Sequence, residues 1–144
     1  MCRMAYLGAS EPLRLIAWRK EEPGFHVGEV LPLAPEAAAV QQQLGTPYCY
    51  FAGSTEGCGC GFQLGEWDCI DDEQKARIRA DLKALSDYLT TALERTKEIR
   101  VFASWADDEA GEPQHRRDLT PADLLRDDFY FLNAESSVFR RTSE

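Results

Sequence analysis

Apolar residues recur along this chain in two rhythms. Short runs punctuated by glycine and proline fill the N-terminal half, and one long helical stripe dominates the middle. "CRMAYLG" (Cys2–Gly8) reads as a half-buried strand, with Gly8 to Pro12 as its stop. "LRLIAW" (Leu13–Trp18) is a second strand candidate. "FHVGEV" (Phe25–Val30) is a third, with an ambiguous inward face. Pro32 and Pro35 lead into "EAAAVQQQL" (Glu36–Leu44), a short helix stopped by Gly45 and Pro47. "YCYFAGS" (Tyr48–Ser54) is aromatic and apolar, and reads as a buried central strand.

The strongest helix signal spans Asp72 to Thr96. Ile78, Leu82, Leu85, Leu89 and Leu93 fall three or four apart, which is one apolar face. Asp71 fits the N-cap, with Gln74 as its capping-box partner. Lys75, Arg79 and Lys83 form a cationic row on the opposite side, read as a solvated face. "EIRVFASW" (Glu98–Trp105) is a strand, and the polar, aperiodic stretch 106–118 is a surface loop. "TPADLLRD" starts a helix at Thr120 and Pro121. "FYFL" (Phe129–Leu132) reads as a strand, and 133–144 as an edge strand around "SVFRR" or a frayed tail. The whole predicts one α/β or α+β domain over 1–144, with a mixed sheet of about five strands and the long helix packed across it.

Composition changes this picture little. A chain of 144 residues with 44% hydrophobic residues can bury a core without disulfides or a structural metal. Charge is more restrictive. Sixteen Lys and Arg against 25 Asp and Glu give a formal net charge of −9, spread over both halves. Nucleic acid and anionic membrane surfaces are disfavoured as partners, and a basic protein partner is favoured. No run has the character of a signal peptide or membrane span, so a cytoplasmic protein is expected. In that compartment an odd count of five cysteines implies free thiols, metal ligation or transient redox chemistry.

Three of the five cysteines lie in "GSTEGCGCGFQLGEWDC" (Gly53–Cys69), after a predicted strand and before the long helix. Open α/β sheets hold ligands in such places. A phosphate cradle is excluded there. The G-x-G-x-x-G and Gly-Lys-Ser/Thr patterns are absent, and Asp68, Asp71, Asp72 and Glu73 crowd the helix start.

Metal and thiol chemistry remain. Cys58 and Cys60 flank a single glycine, so both thiolates can reach one soft ion. Zinc or another soft metal would need further ligands, with Cys2, Cys49 and Cys69 available and His26 and His115 in reserve. If the first strand runs antiparallel to Tyr48–Ser54, Cys2 arrives beside Cys58 and Cys60. The same residues are the candidate nucleophiles. A C-x-C disulfide closes too short a loop to be relaxed, which suits exchange, while Glu56, Glu66, Asp68 and Asp71 oppose thiol activation. Packing roles are expected for Cys49 and Cys69, a solvated place for His115, and core or core-edge places for Trp18, Trp67 and Trp105. Trp67 could also shield a site beside the loop.

"MCRMAYLG" resembles the start of class II glutamine amidotransferases, although that family's Asn/Asp-Gly-Trp/Phe-Gly signature is absent here. The resemblance implies Cys2 as an N-terminal nucleophile with its own amine as base. "MCR..YLG", "GCGCGF" and "TPADLL…FYFL" together are similar to a group of small bacterial proteins of no assigned activity, which favours Cys2, Cys58 and Cys60 as a set. Two functions stand: a cysteine-centred site for a soft metal or thiol chemistry, or a non-catalytic acidic interaction protein of the inhibitor or immunity type.

Overall fold

The computed structural model describes residues 2–30, 34–65, 71–106 and 108–141. Its organising element is β1 (Arg3–Ala9), whose residues are buried on both faces except at Met4. β1 pairs antiparallel with β3 (Tyr48–Gly53) on one side and with β4 (Glu98–Trp105) on the other. β2 (His26–Glu29) extends the sheet beyond β3, and β6 (Glu135–Arg140) extends it beyond β4. β5 (His115–Leu119) closes the far edge parallel to β6. The mixed sheet therefore has six strands in the order β2-β3-β1-β4-β6-β5.

Strand alternation divides the core between the two faces. Ala5 and Leu7 of β1, Tyr50 and Ala52 of β3, and Ile99 and Val101 of β4 meet helix α2 (Asp72–Ala92) through Leu82, Leu85 and Leu89. Tyr6 and Phe102 point to the other face and meet Val40 and Leu44 of α1 (Ala37–Leu44). The expected stripe of α2 is thus its buried face. Its capping box also forms: Asp71 accepts the Gln74 backbone N–H at 2.8 Å, and Gln74 Oε1 accepts the Asp71 N–H at 3.2 Å.

Several expected elements differ. Leu13–Trp18 makes only one antiparallel bridge, Ile16 to Val27. Two of its other backbone groups are taken by side chains: Tyr50 Oη accepts the Leu13 N–H at 2.9 Å, and Tyr88 donates to the Arg14 carbonyl at 2.6 Å. A backbone satisfied in this way has no need of a ladder. Phe129–Leu132 is likewise not a strand. The Gln63 amide stands in for a neighbouring strand there, accepting the Phe131 N–H at 3.0 Å and donating to the Phe131 carbonyl at 2.7 Å. Stretch 106–118 is not loop throughout, because β5 begins at His115. The C-terminal strand β6 is not an edge. It lies between β4 and β5, and the buried Glu135 accepts Arg117 Nε and Nη2 at 2.7 and 2.8 Å. The segment Pro121–Leu125 forms a short 3-10 helix, with Thr120 at its N-cap as expected and the Asp123 carboxylate accepting the Thr120 N–H at 2.8 Å. Pro32, expected to lead into the short helix, and Glu66, Trp67, Asp68 and Cys69 lie outside the described residues.

A candidate three-cysteine metal centre

β3 ends at Gly53, and the chain turns into the cysteine loop at Ser54. Ser54 holds the loop shut. Its hydroxyl donates to the Cys58 carbonyl at 2.6 Å and accepts the N–H groups of Glu56 and Gly61 at 3.3 and 3.1 Å. Its backbone N–H donates to the same Cys58 carbonyl at 2.8 Å. The next residue ties the loop to the helix. Both oxygens of Asp81 accept the Thr55 N–H at 3.1 Å, and Oδ1 also accepts the Thr55 hydroxyl at 2.9 Å. Asp81 is buried on α2. Desolvation raises its carboxyl above the usual range, while the Thr55 hydrogen bonds and Arg77 pull it down and Glu56 adds to the rise.

Cys58 leads into a 3-10 turn, Gly59–Phe62, that lies directly on β1. The two glycines of the turn are required by close approach. A β-carbon on Gly59 would stand 3.1 Å from the Arg3 carbonyl oxygen and 3.3 Å from the Ala5 nitrogen. One on Gly61 would overlap the Ser54 hydroxyl and stand 2.5 Å from its β-carbon. The alternation Gly-Cys-Gly-Cys-Gly thus lets a tight turn lie flat on a strand while its sulfurs face one place.

That place is the start of β1. Because β1 runs antiparallel to β3, Cys2 returns to the end of the sheet where β3 stops. The Ala106 N–H donates to the Cys2 carbonyl at 2.8 Å and fixes the Cys2 backbone beside the end of β4. The sulfurs of Cys2, Cys58 and Cys60 all lie within 4.8 Å of one another, and no other group of three potential ligands converges so among the described residues. All three are free thiols; Cys58 is buried, Cys60 half-buried and Cys2 exposed. A zinc–thiolate bond of about 2.3 Å in a tetrahedron places sulfurs about 3.8 Å apart. Small rotations of the three side chains span that difference.

The cluster is electrostatically prepared for a cation. The backbone N–H of Arg3 donates to Cys60 Sγ at 3.2 Å. The Cys58 thiol is the largest influence on Cys60 and, with the Arg3 N–H and the Cys2 thiol, brings Cys60 down to about 6 against the opposing effect of burial. Cys58 moves the other way, because its proton is held by Cys60 and its own burial disfavours the anion. The Cys58–Cys60 pair therefore favours its first thiolate on Cys60, with the Cys58 proton directed toward it. The Arg3 side chain braces the arrangement from below. Its guanidinium donates to the Phe131 carbonyl at 3.1 Å and stacks on Trp105, 4.3 Å from the ring centroid.

The sulfurs open onto a cavity of about 430 Å³, walled on the helix side by Gln74, Arg77 and Ile78 of α2 and flanked by Glu56. Arg77 meets Glu56 at 3.7 Å, and both side chains are about half exposed.

The remaining candidates lie elsewhere. His26 sits on edge strand β2 opposite Gly53, its Nδ1 3.0 Å from the Gly24 carbonyl oxygen. Its ring packs on Phe51 and Trp18 and covers the space a Gly53 side chain would need. It is a packing residue in this fold and is not part of the cluster. Cys49 belongs to the α1 side of the sheet, and burial raises its thiol. His115 is exposed on β5 at the far edge. Trp105 is half-buried and serves Arg3, whereas Trp18 is exposed. Ser54, Thr55, Asp81 and Arg3, which build the site, carry no sequence motif. Asp81 alone left a signal: it interrupts the apolar stripe, three residues after Ile78 and four before Leu85, where a carboxylate needs a partner.

A comparison with family models, curated proteins and solved structures found no match to this chain.

Proposed function

We propose that this protein binds a soft or borderline metal ion of the zinc class through Cys2, Cys58 and Cys60. The observation that carries the reading is the convergence of three sulfurs, within 4.8 Å of one another, from two segments far apart in the chain. Packing alone does not call for it. Cysteines that only fill space have no reason to meet sulfur to sulfur at the mouth of a cavity, with a backbone N–H aimed at one of them. Thiolates select soft ions, and three of them leave a four-coordinate ion one further position. The metal would neutralise the charge that the pair favours on Cys60, and binding would release the Cys58 proton.

A second reading rests on the Arg3–Cys60 hydrogen bond. A stabilised, half-buried thiolate is also a nucleophile, with Cys58 and Cys2 in place to resolve an adduct.

One experiment separates these. The protein is purified without chelators and its metal content is measured beside its free thiols. The metal reading expects one ion per chain, three protected thiols, and loss of both in Cys58→Ser and Cys2→Ser. A protein that takes up no zinc or cobalt but whose Cys60 is alkylated fast at neutral pH supports the nucleophile. If neither is seen, and the serine variants behave as wild type, the acidic interaction protein becomes the better reading.

A further inference from the structure

We infer that the coordination position left open by the three cysteines faces the adjoining cavity, and that the ligand taken there is a small thiol bearing a carboxylate. The inference rests on the metal-site reading and names what that site would hold.

Three observations lead to it. Among the described residues only the three sulfurs converge, and they fill three positions of a four-coordinate ion. A soft ion already bound by thiolates accepts another sulfur readily. The cavity of about 430 Å³ beside the sulfurs is of the size that holds small molecules. Its α2 wall supplies the rest of the recognition. Ile78 offers an apolar surface to a short methylene stem. Gln74 has its Oε1 occupied by the Asp71 N–H, which leaves the amide N–H groups to donate. Arg77 offers a guanidinium whose ion pair with Glu56 is loose at 3.7 Å. A carboxylate can take both arms of a guanidinium at once, in a geometry that a loose 3.7 Å contact does not achieve. The positive charge comes from Arg77 and not from the helix end, since the first turn of α2 is itself acidic. Glu56 is the opposing group: it competes with the ligand for Arg77.

The competition makes the proposal testable in two directions. Cobalt(II) is loaded into the full chain, and its visible spectrum is followed during anaerobic titration with 3-mercaptopropionate or with 2-mercaptoethanol, which has the same donor and no charge. In wild type, 3-mercaptopropionate saturates a spectral shift at about tenfold lower concentration than 2-mercaptoethanol. Arg77→Gln removes that advantage, and Glu56→Gln increases it. Equal half-saturation by the two thiols in wild type overturns the proposal. So does a cobalt spectrum that neither thiol changes, or cobalt stripped into solution without a saturable shift. Those results leave the metal reading standing. If wild type takes up no cobalt before any thiol is added, the metal reading fails and the ligand proposal with it.

Discussion

The backbone N–H of Arg3 points at the sulfur of Cys60 across 3.2 Å, although 57 positions separate them in the chain. A strand ordinarily spends that N–H on its neighbour's carbonyl. Here it lies where β1 has run past the end of β3, and the cysteine turn has moved into the vacant place. The sulfur therefore takes the role of the next strand's oxygen.

That relationship predicts a pH profile. In metal-free protein, Cys60 should be alkylated by iodoacetamide with a midpoint near 6, far below an ordinary thiol. Cys58→Ala removes the largest stabilising influence and should move the midpoint up. Rates measured by mass spectrometry across pH would check this; a midpoint unmoved by Cys58→Ala would show that the Arg3 N–H suffices.

Metal affinity should rise with pH. Cys58 is held protonated by Cys60, so its proton must leave as the ion enters. Calorimetry in buffers of different ionisation enthalpy would count the protons released. Uptake with no proton release would exclude Cys58 as a ligand.

Zinc should stabilise the fold. A ligand that binds only the folded state at 100 times its Kd adds about 2.7 kcal/mol. The Tm should rise with zinc and fall back with chelator. Cys2→Ser should abolish the rise, whereas His26→Gln should keep it, because His26 lies outside the cluster. A rise lost in His26→Gln would restore histidine as a ligand.

The loop glycines should tolerate little. Gly61→Ala forces a β-carbon into Ser54, and overpacking of this kind costs about 1–3 kcal/mol. Chemical denaturation would measure it. Gly59→Ala meets backbone atoms of β1, which cannot rotate away, so it should lift the turn and weaken metal binding more than it weakens the fold.

Asp81 gives a stability prediction with a definite sign. Burial raises its carboxyl in the folded state, so protonation favours the fold. The increment is full below the unfolded value, near 3.8, and is lost as pH rises through the raised folded value. Relative to Asp81→Asn, wild type should gain stability on acidification from about pH 7 to about pH 3. A relative loss instead would show that the Thr55 hydrogen bonds outweigh burial.

Periodicity located the long helix, the strand Glu98–Trp105 and the strand Tyr48–Gly53 closely, because each buries a regular face. It misread Leu13–Trp18 and Phe129–Leu132. Both are apolar, but backbone groups of Leu13, Arg14 and Phe131 go to the side chains of Tyr50, Tyr88 and Gln63, which no hydropathy pattern records. It also stopped short of β5, whose Arg117 is paired with a buried Glu135 that only the fold brings near. The cysteine set was legible through one topological condition, that β1 run antiparallel to β3, and this holds. Of the scaffold, Ser54 and Thr55 were not legible and Asp81 showed only as a carboxylate set in the apolar stripe, since single polar residues announce their partners only in three dimensions.

The position of β1 between β3 and β4 has a kinetic consequence. The first thiol is made long before its partners, and β4 lies beyond α2 in the chain. The sulfurs can meet once β1 pairs with β3, but the Ala106 N–H that fixes the Cys2 backbone arrives only when β4 has enclosed β1 from the other side, a closure of distant contacts that ranks among the slow steps of folding. Metal capture, or mutual protection of the thiols, would thus occur as the sheet is completed. A fragment ending before β4 would carry all three cysteines without the Ala106 contact that holds Cys2 in place, so firm binding of the ion would report on the finished sheet and not on the cysteine motif alone.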